Sequence, residues 1–315
     1  MVFHLPGAAV ADPSRIEPFY LTLIEGLRLR GGLVEVVAHD RALVADQVAA
    51  DHGFHILDHG NLRHPRALNS GVAYIYPFRN MDPWGIRAQS SIAALRFDAA
   101  SVDAARARVF ADRLRKRLVA ARVSRYAQPD AVQSVPKGCI AVFLQSEAHR
   151  GVAETCYLTM KEMVGALVAR ADPRPIVIKP HPRDFSEDTH KFLRKLARRD
   201  ARVIVSMANI HDILGACAVV VTINSAVGIE AAVHNRPVVL CGHADFHHAA
   251  VTVRAAGEME AGLARAEAGR WSQDAFLYWY FALNCLAGGR PSLVDDFLAK
   301  IAATGFDMAA LGLAP

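Results

Sequence analysis

The sequence predicts an α/β protein built on two doubly wound parallel sheets, and three observations point there. Short β-branched apolar runs alternate with segments of helical period in both halves of the chain, the pattern of repeated strand, helix, strand units. A stretch rich in turn residues, Tyr126 to Gly138 with Pro129, Asp130, Ser134, Pro136 and Gly138, separates the halves. The chain has 315 residues, 52% hydrophobic and 21% charged, too long for one small core and sufficient for two domains of ordinary size. The expected organisation is a first domain over 1–130, a linker over 131–138, and a second domain with terminal helices over 139–315.

Val2 to Leu5 reads as a strand that leads through Gly7 into a helix over Ile16 to Arg28, where Ile16, Phe19, Leu21, Leu23, Ile24 and Leu27 recur at roughly helical spacing. Gly31-Gly32 stops that helix and Leu33 to Val37 gives the next strand, so a right-handed parallel crossover follows. No G-x-G-x-x-G fingerprint is present, which argues against an NAD-binding domain. Tyr74 to Phe78 is expected as a strand that ends near Asp82-Pro83-Trp84-Gly85, with Ser90-Ser91 beyond. Asp82 followed by Pro83 is also a helix N-terminal signal, so a capped helix and a functional loop both fit. A basic helix is expected over 101–122. In the second half, strands at 141–144, 176–179, 202–205, 218–223 and 237–241 alternate with helical patterns, and helices close the chain at Ser272 to Leu286 and Ser292 to Ala302.

The five cysteines, at 139, 156, 217, 241 and 285, never fall in C-x-x-C spacing, so reduced buried thiols are expected in place of a disulfide frame or zinc site. No apolar run approaches the roughly 18 residues of a membrane span, and the start lacks a basic segment followed by a long apolar core. A soluble cytoplasmic protein is expected. Net charge is +5 and the pI near 9.0. The cations cluster in Arg106, Arg108, Arg113, Arg115, Lys116, Arg117, Arg122 and Arg125, and again in Lys191, Arg194, Lys195, Arg198 and Arg199. Without interleaved aromatics no nucleic acid is expected as a partner. A solvated helix face or attachment to an anionic inner-membrane surface fits them better.

Two segments carry most of the functional information. Ile176-Val177-Ile178-Lys179 runs into Pro180-His181-Pro182-Arg183-Asp184, and Val219-Val220-Val221-Thr222 into Ile223-Asn224-Ser225-Ala226-Val227-Gly228-Ile229-Glu230. Each is a buried strand emptying into a polar turn, at the strand end where open α/β sheets bind ligands. Lys179, His181 and Arg183 offer charge to an anion. His181 is held extended between Pro180 and Pro182, suited to hydrogen bonding a phosphate; the bland alternative is a loop-capping histidine. Asn224, Ser225 and the N–H groups of the following helix form a phosphate cradle, although helix capping alone would account for Ser225. Gly228 on the first turn is expected to admit a ligand close to the backbone. Glu230 suits the helix dipole as an early-turn carboxylate, and it also resembles the acidic residue that GT-B enzymes set against a nucleotide ribose. No D-x-D motif or compact ligand set calls for a metal; His243, His247 and His248 are the nearest thing to one.

Lys179-Pro180-His181-Pro182, Thr222 to Ala231, and Arg236-Pro237-Val238-Val239-Leu240-Cys241-Gly242-His243-Ala244-Asp245-Phe246 together resemble the signature of the bacterial capsule polysaccharide synthesis and export family, most strongly over about residues 140 to 250. The resemblance implies a GT-B-like fold, two Rossmann-like domains facing a cleft, with an acceptor-side first domain and a nucleotide-sugar-binding second domain. It implies a glycosyltransferase of capsular or surface polysaccharide synthesis whose donor is a CMP-linked, Kdo-like acidic sugar and whose acceptor is a glycan or glycolipid, with no further cofactor. Lys179, His181, Pro182, Asn224, Ser225, Gly228 and Glu230 then become donor-binding residues, with His181 also at the reaction. The family places an aspartate four residues after Gln145, where this chain has His149. Glu147, two residues earlier, is the other candidate for the reactive carboxylate. A non-catalytic nucleotide-binding partner of the capsule machinery and a UDP-sugar enzyme are the alternatives.

Overall fold

The structure is a computed structural model that describes residues 1–145, 150–184 and 186–313. It divides into two compact units, Met1–Leu95 with Tyr280–Pro315, and Arg96–Trp279. In chain order the first unit opens with β1 (Val2–Leu5), α1 (Gly7–Ala11), α2 (Pro18–Leu29), β2 (Glu35–Ala38), α3 (Val44–Ala50), β3 (His55–Asp58), β4 (Ala67–Val72) and β5 (Phe78–Asp82). The second comprises α4 (Ala104–Arg115), β6 (Ile140–Phe143), α5 (Arg150–Ala153), α6 (Met160–Val168), β7 (Ile176–Lys179), α7 (Glu187–Arg199), β8 (Val203–Val205), α8 (Ile210–Ala216), β9 (Val219–Thr222), α9 (Val227–Val233), β10 (Val238–Leu240), β11 (Val251–Thr252), α10 (Met259–Ala268) and α11 (Gln273–Leu277). The chain then returns to the first unit with β12 (Leu286–Ala287) and α12 (Leu293–Ala302).

The first sheet has the order β12-β5-β4-β3-β1-β2. Strands β2, β1, β3 and β4 are parallel, with Phe3 between Val36 and Ile56, while β5 runs antiparallel to both β4 and β12. The run Tyr74 to Phe78, expected as a strand, is instead the turn between β4 and β5, with Tyr74 at φ 64° and Ile75 N–H closing onto Ala73. Tyr74 and Ile75 of this turn are buried although neither pairs in the sheet, Tyr76 is exposed, and Phe78 opens β5. Helix α2 places Phe19, Tyr20, Leu23, Ile24 and Leu27 on its buried face, the period read from sequence. They share a core with Phe3, Phe54, Ile56, Phe297 and Ile301. Gly26 is required here, because a Cβ at that position would lie 2.5 Å from Val294 Cγ2 of α12.

This packing moves the boundaries from those expected. Residues 280–315 belong with the first unit, since β12 extends its sheet and α12 lies on α2. Residues 96–130 belong with the second, since Arg115 of α4 donates to Val233 O at the end of α9 and to Asn235 Oδ1, and pairs with Asp274 of α11. The turn-rich stretch is likewise fastened to the second unit. Asn209 Nδ2 donates to Pro129 O, Ile210 N–H to Gln128 Oε1, and Gln133 N–H to Asp212 Oδ2.

The second sheet is wholly parallel, in the order β11-β10-β9-β6-β7-β8. Numbered from its own first strand this is 3-2-1-4-5-6, the nucleotide-binding order, whose reversal point lies between β6 and β9. Val142 pairs with Ile178 on one side and Val221 on the other. Every residue of β6, β7 and β9 is buried, as expected of strands covered on both faces.

Two polar networks cross the interior of the first unit. Arg79, 1% exposed, pairs with Asp58 at 3.0 Å and with Glu17, and its guanidinium lies over the Phe19 and Tyr20 rings. Asp58 also accepts from Tyr20 Oη at 2.5 Å and holds His59 Nδ1 at 2.8 Å. Separately, the Asp51 carboxylate accepts from His55 Nε2, so His55 Nδ1 accepts in turn from His4 Nε2, both at 2.9 Å. Burial, with the neighbouring His55 and His39, lowers the His4 pKa from 6.5 to about 4. The folded chain therefore resists a proton that the unfolded chain accepts, and the stability involved is complete above pH 6.5 and lost as pH falls towards 4. The melting temperature is expected to drop across that interval, and His4→Gln, which gains no proton, to flatten part of the drop.

Candidate functional site

The reversal point of the second sheet is closed by an amide pair. Gln145, two residues after β6, donates Nε2–H to Asn224 Oδ1 at 3.0 Å, and its Oε1 accepts the Asn224 backbone N–H at 2.9 Å. Asn224, two residues after β9, donates Nδ2–H to Thr155 Oγ1 at 2.7 Å and to His243 O at 2.9 Å. Both amide orientations follow from this bonding pattern. The Asn224 side chain is thus wholly engaged in fastening the β6, β9 and β10 ends and the turn before α6. That corrects its expected place in a phosphate cradle.

Lys179 ends β7 and is 5% exposed. Its ammonium donates to Ala208 O at 2.7 Å and Met207 O at 3.3 Å, and burial lowers its pKa. The expected point charge toward a ligand is instead a buried tie between β7 and the β8–α8 connection. His181 follows in the turn, half-buried, with Pro182 and Arg183 exposed. Its Nδ1 accepts the Arg183 N–H at 3.1 Å, which makes Nε2 the proton-bearing nitrogen of the neutral ring. The imidazole stands edge-on to Tyr126, with ring centroids 5.2 Å apart, and the Arg183 guanidinium lies 4.9 Å over the same Tyr126 ring.

Helix α9 begins at Val227 with Ala226 as its cap, and Ala226 supplies no side-chain bond. Ser225 was expected to be that cap. Its Oγ accepts from Val227 N–H at 3.3 Å, so it organises the turn one residue earlier. Gly228 is buried, and a Cβ there would lie 2.6 Å from Phe246 Cε2 and 2.9 Å from Cζ. Aromatic packing from the loop after β10 therefore requires this glycine, where close approach of a ligand was expected to. Glu230 is 6% exposed, burial raises its pKa to about 7, and Ser124 Oγ donates to it at 2.7 Å.

Ser124 lies just before the turn-rich stretch and Tyr126 opens it, both ahead of the 131–138 segment that the sequence marked as a linker. The same strap is held from below by histidines. Val123 O accepts from His211 Nε2 at 3.0 Å, which obliges His211 Nδ1 to accept from His234 at 2.9 Å, ring stacked on ring. Arg122 pairs with Asp212. Strap residues 124 and 126 reach Glu230 and His181 respectively, so both groups border one short stretch of chain, about 7 Å along an extended backbone. No periodic or motif signal marks Ser124, Tyr126 or Thr155; their roles arise from contacts distant in sequence.

Glu147 and His149, the expected catalytic pair, lie outside the described residues. Among those described, no group of three or more His, Cys, Asp or Glu residues could hold a metal ion. His247 and His248 stack at 4.1 Å, with His248 against Trp279. In the first unit, Asp82 is 4% exposed and accepts from Trp84, Gly85 and Ser91 N–H and from the Ser90 and Ser91 hydroxyls. It is therefore the organiser of its loop, and the α-helix considered at that position does not form. Beside it a cavity of about 580 Å³ is lined by Trp84, Leu68, Met81, Ile92, Arg63 and Lys300 among others, with the Arg63 guanidinium 4.1 Å over the Trp84 ring.

Two outcomes test these assignments. Gly228→Val is expected to lose about 1–3 kcal/mol of stability from overpacking against Phe246, read by urea unfolding, with nucleotide affinity of the folded fraction unchanged. Glu230, whose folded pKa of about 7 exceeds its usual 4.5, favours folding fully below pH 4.5 and loses that contribution as pH rises through 7. Glu230→Gln does not titrate, so its melting temperature relative to the unmodified protein should climb between pH 4.5 and 8.

The model of the family described as "Capsule polysaccharide biosynthesis protein" matches residues 117–282. Among solved structures, the beta Kdo 2,7 transferase of Thermosulfurimonas dismutans KpsC superposes with a TM-score of 0.58 at 16% identity, over 97% of this chain and 99% of that one. The beta Kdo 2,4 transferase of the same KpsC gives a TM-score of 0.54 at 15% identity, over 95% and 97%. At such identity the likeness is one of fold, and with the two sheets it bears out the expected GT-B-like α/β class. No curated protein matches the chain. The matched segment runs from the end of α4 through the strap and the second sheet to the segment after α11, and on that match the chain belongs to the capsule polysaccharide biosynthesis family.

Proposed function

We propose that this protein is a glycosyltransferase of capsular or related surface polysaccharide synthesis that moves an acidic, Kdo-like sugar from its CMP-linked form to a glycan or glycolipid acceptor. The observation that carries the reading is the strap over the second sheet, which joins the His181 turn to Glu230 through Tyr126 and Ser124. A nucleotide lying along it would meet His181 and Arg183 with its phosphate and Glu230 with its ribose. The Ser124 hydroxyl, now donating to Glu230, occupies the position of a ribose hydroxyl in that arrangement. Asn224, Lys179 and Gly228 would support the site from behind without touching the donor.

Transfer forms a bond from the acceptor oxygen to the anomeric carbon and breaks the bond from that carbon to the CMP phosphate. His181 is the group assigned to the phosphate side of that exchange, where a positive or proton-donating imidazole favours departure of the nucleotide. If the reaction retains configuration through a covalent sugar, Glu147 is the carboxylate assigned to attack, because it is the one acid in the Gln145 to Gly151 sequence that the family resemblance assigns to the reaction. The histidine at 149, where the family has an aspartate, favours as a second reading a nucleotide-binding partner without turnover.

Calorimetry is expected to show CMP bound in preference to UDP, with His181→Ala losing about 1.5–3 kcal/mol of CMP affinity at unchanged melting temperature. Glu147→Gln should abolish release of CMP from CMP-Kdo in the presence of capsule acceptors while CMP binding stays intact, with His149→Ala the milder change. CMP binding without release by the unmodified protein, over a panel of CMP-sugars and acceptors, would establish the partner role. Preference for UDP would remove the CMP-sugar assignment.

A further inference from the structure

Of the two basic clusters in the sequence, tertiary contacts engage part of one, while the other makes among the described residues a single ion pair, within its own helix. On α4 and the segment after it, Arg115 is drawn to Asp112, Asp274 and two groups beyond α9, Arg122 is paired with Asp212, and Arg106 lies beside Asp103. On α7, Lys191, Arg194, Lys195 and Arg198 recur at i, i+3, i+4 and i+7 with Arg199 alongside, so the cations form one stripe about 12 Å long. The opposite face of the helix packs into the second unit through Thr189, Phe192, Leu193, Leu196 and Ala197. All five cations are exposed. Lys191 pairs with Glu187 at 2.9 Å, and among the described residues Arg194, Lys195, Arg198 and Arg199 make no ion pair. The side chains of all five cations together line a hollow of about 430 Å³.

We propose that this face of α7 is a docking surface for an anionic lipid bilayer. A stripe of like charges on one face repels itself, and a dense negative surface is what offsets that repulsion. Beside the helix packs the edge strand β8, which leaves Ile204 37%, Val205 41% and Met207 54% exposed. Exposed apolar side chains on the strand that neighbours the helix favour a lipid interface over nucleic acid, and the helix presents no exposed aromatic on which a base could stack. The assignment uses none of the residues proposed for the donor, so it stands or falls separately from the transferase reading.

The test is cosedimentation of the full chain with vesicles of phosphatidylcholine alone, or of phosphatidylcholine with phosphatidylglycerol at about 2:1, at low and high salt. Binding is expected only to the mixed vesicles, and to weaken as salt rises. Lys195→Glu combined with Arg198→Glu should reduce the partition coefficient by about tenfold or more, while Arg108→Glu combined with Arg113→Glu, the same charge change on α4, should leave most of it. Both pairs alter exposed side chains, and matching melting curves confirm that each variant is folded. No binding by the unmodified protein to the mixed vesicles at low salt, or equal losses from the two double variants, would overturn the proposal.

Discussion

The reciprocal amide pair between Gln145 and Asn224 sits where the second sheet reverses its winding, and the neighbouring geometry depends on it. Parallel strands splay apart at their carboxyl ends because successive helices lie on opposite faces at that point. An open crevice there leaves backbone groups unpaired unless side chains bridge it. Gln145 accepts the orphan Asn224 N–H, and Asn224 ties down Thr155 and the His243 carbonyl. Removing either amide would leave several buried partners unsatisfied, at roughly 1–3 kcal/mol each.

The same division of labour runs through the family's signature segments. Lys179, Asn224 and Gly228 are the motif residues that chemistry would assign to a ligand, yet each faces inward: an ammonium on two carbonyls, an amide on three groups, a missing Cβ against Phe246. His181, Arg183 and Glu230 instead meet the strap. The signature therefore combines a framework that shapes the turns with a smaller set of groups those turns present. Burial explains the split, because a strand-end lysine in a fully covered sheet finds carbonyls before it finds solvent.

Histidines and buried acids give both units a dependence on pH with opposing signs. His4 and His234, each lowered to about 4, resist protonation in the folded chain. Glu230, raised to about 7, resists losing its proton. The first effect weakens the fold in acid and the second weakens it above neutrality, so stability is greatest between them. Glu230 is the one of these groups bordering the proposed donor site.

Periodicity and turn chemistry by themselves determined that the chain is α/β, that β6, β7, β9 and β10 run as buried parallel strands, and that the His181 and Asn224 turns stand at their carboxyl ends. Such features are local: a β-branched run flanked by Pro and Gly has few other conformations open to it. The turn that begins at Tyr74 escaped that reading because Tyr74 and Ile75 are buried by tertiary contacts without pairing in a strand, which gives it a strand's composition. Tertiary structure alone decided that residues 280–315 complete the first sheet, that the 123–138 stretch is a strap bringing Ser124 to Glu230 and Tyr126 to His181, and that among the described residues Arg194, Lys195, Arg198 and Arg199 of α7 make no ion pair. Each depends on residues far apart in the chain meeting, or failing to meet, in space, and no pattern within one window of sequence records which partner a side chain will find.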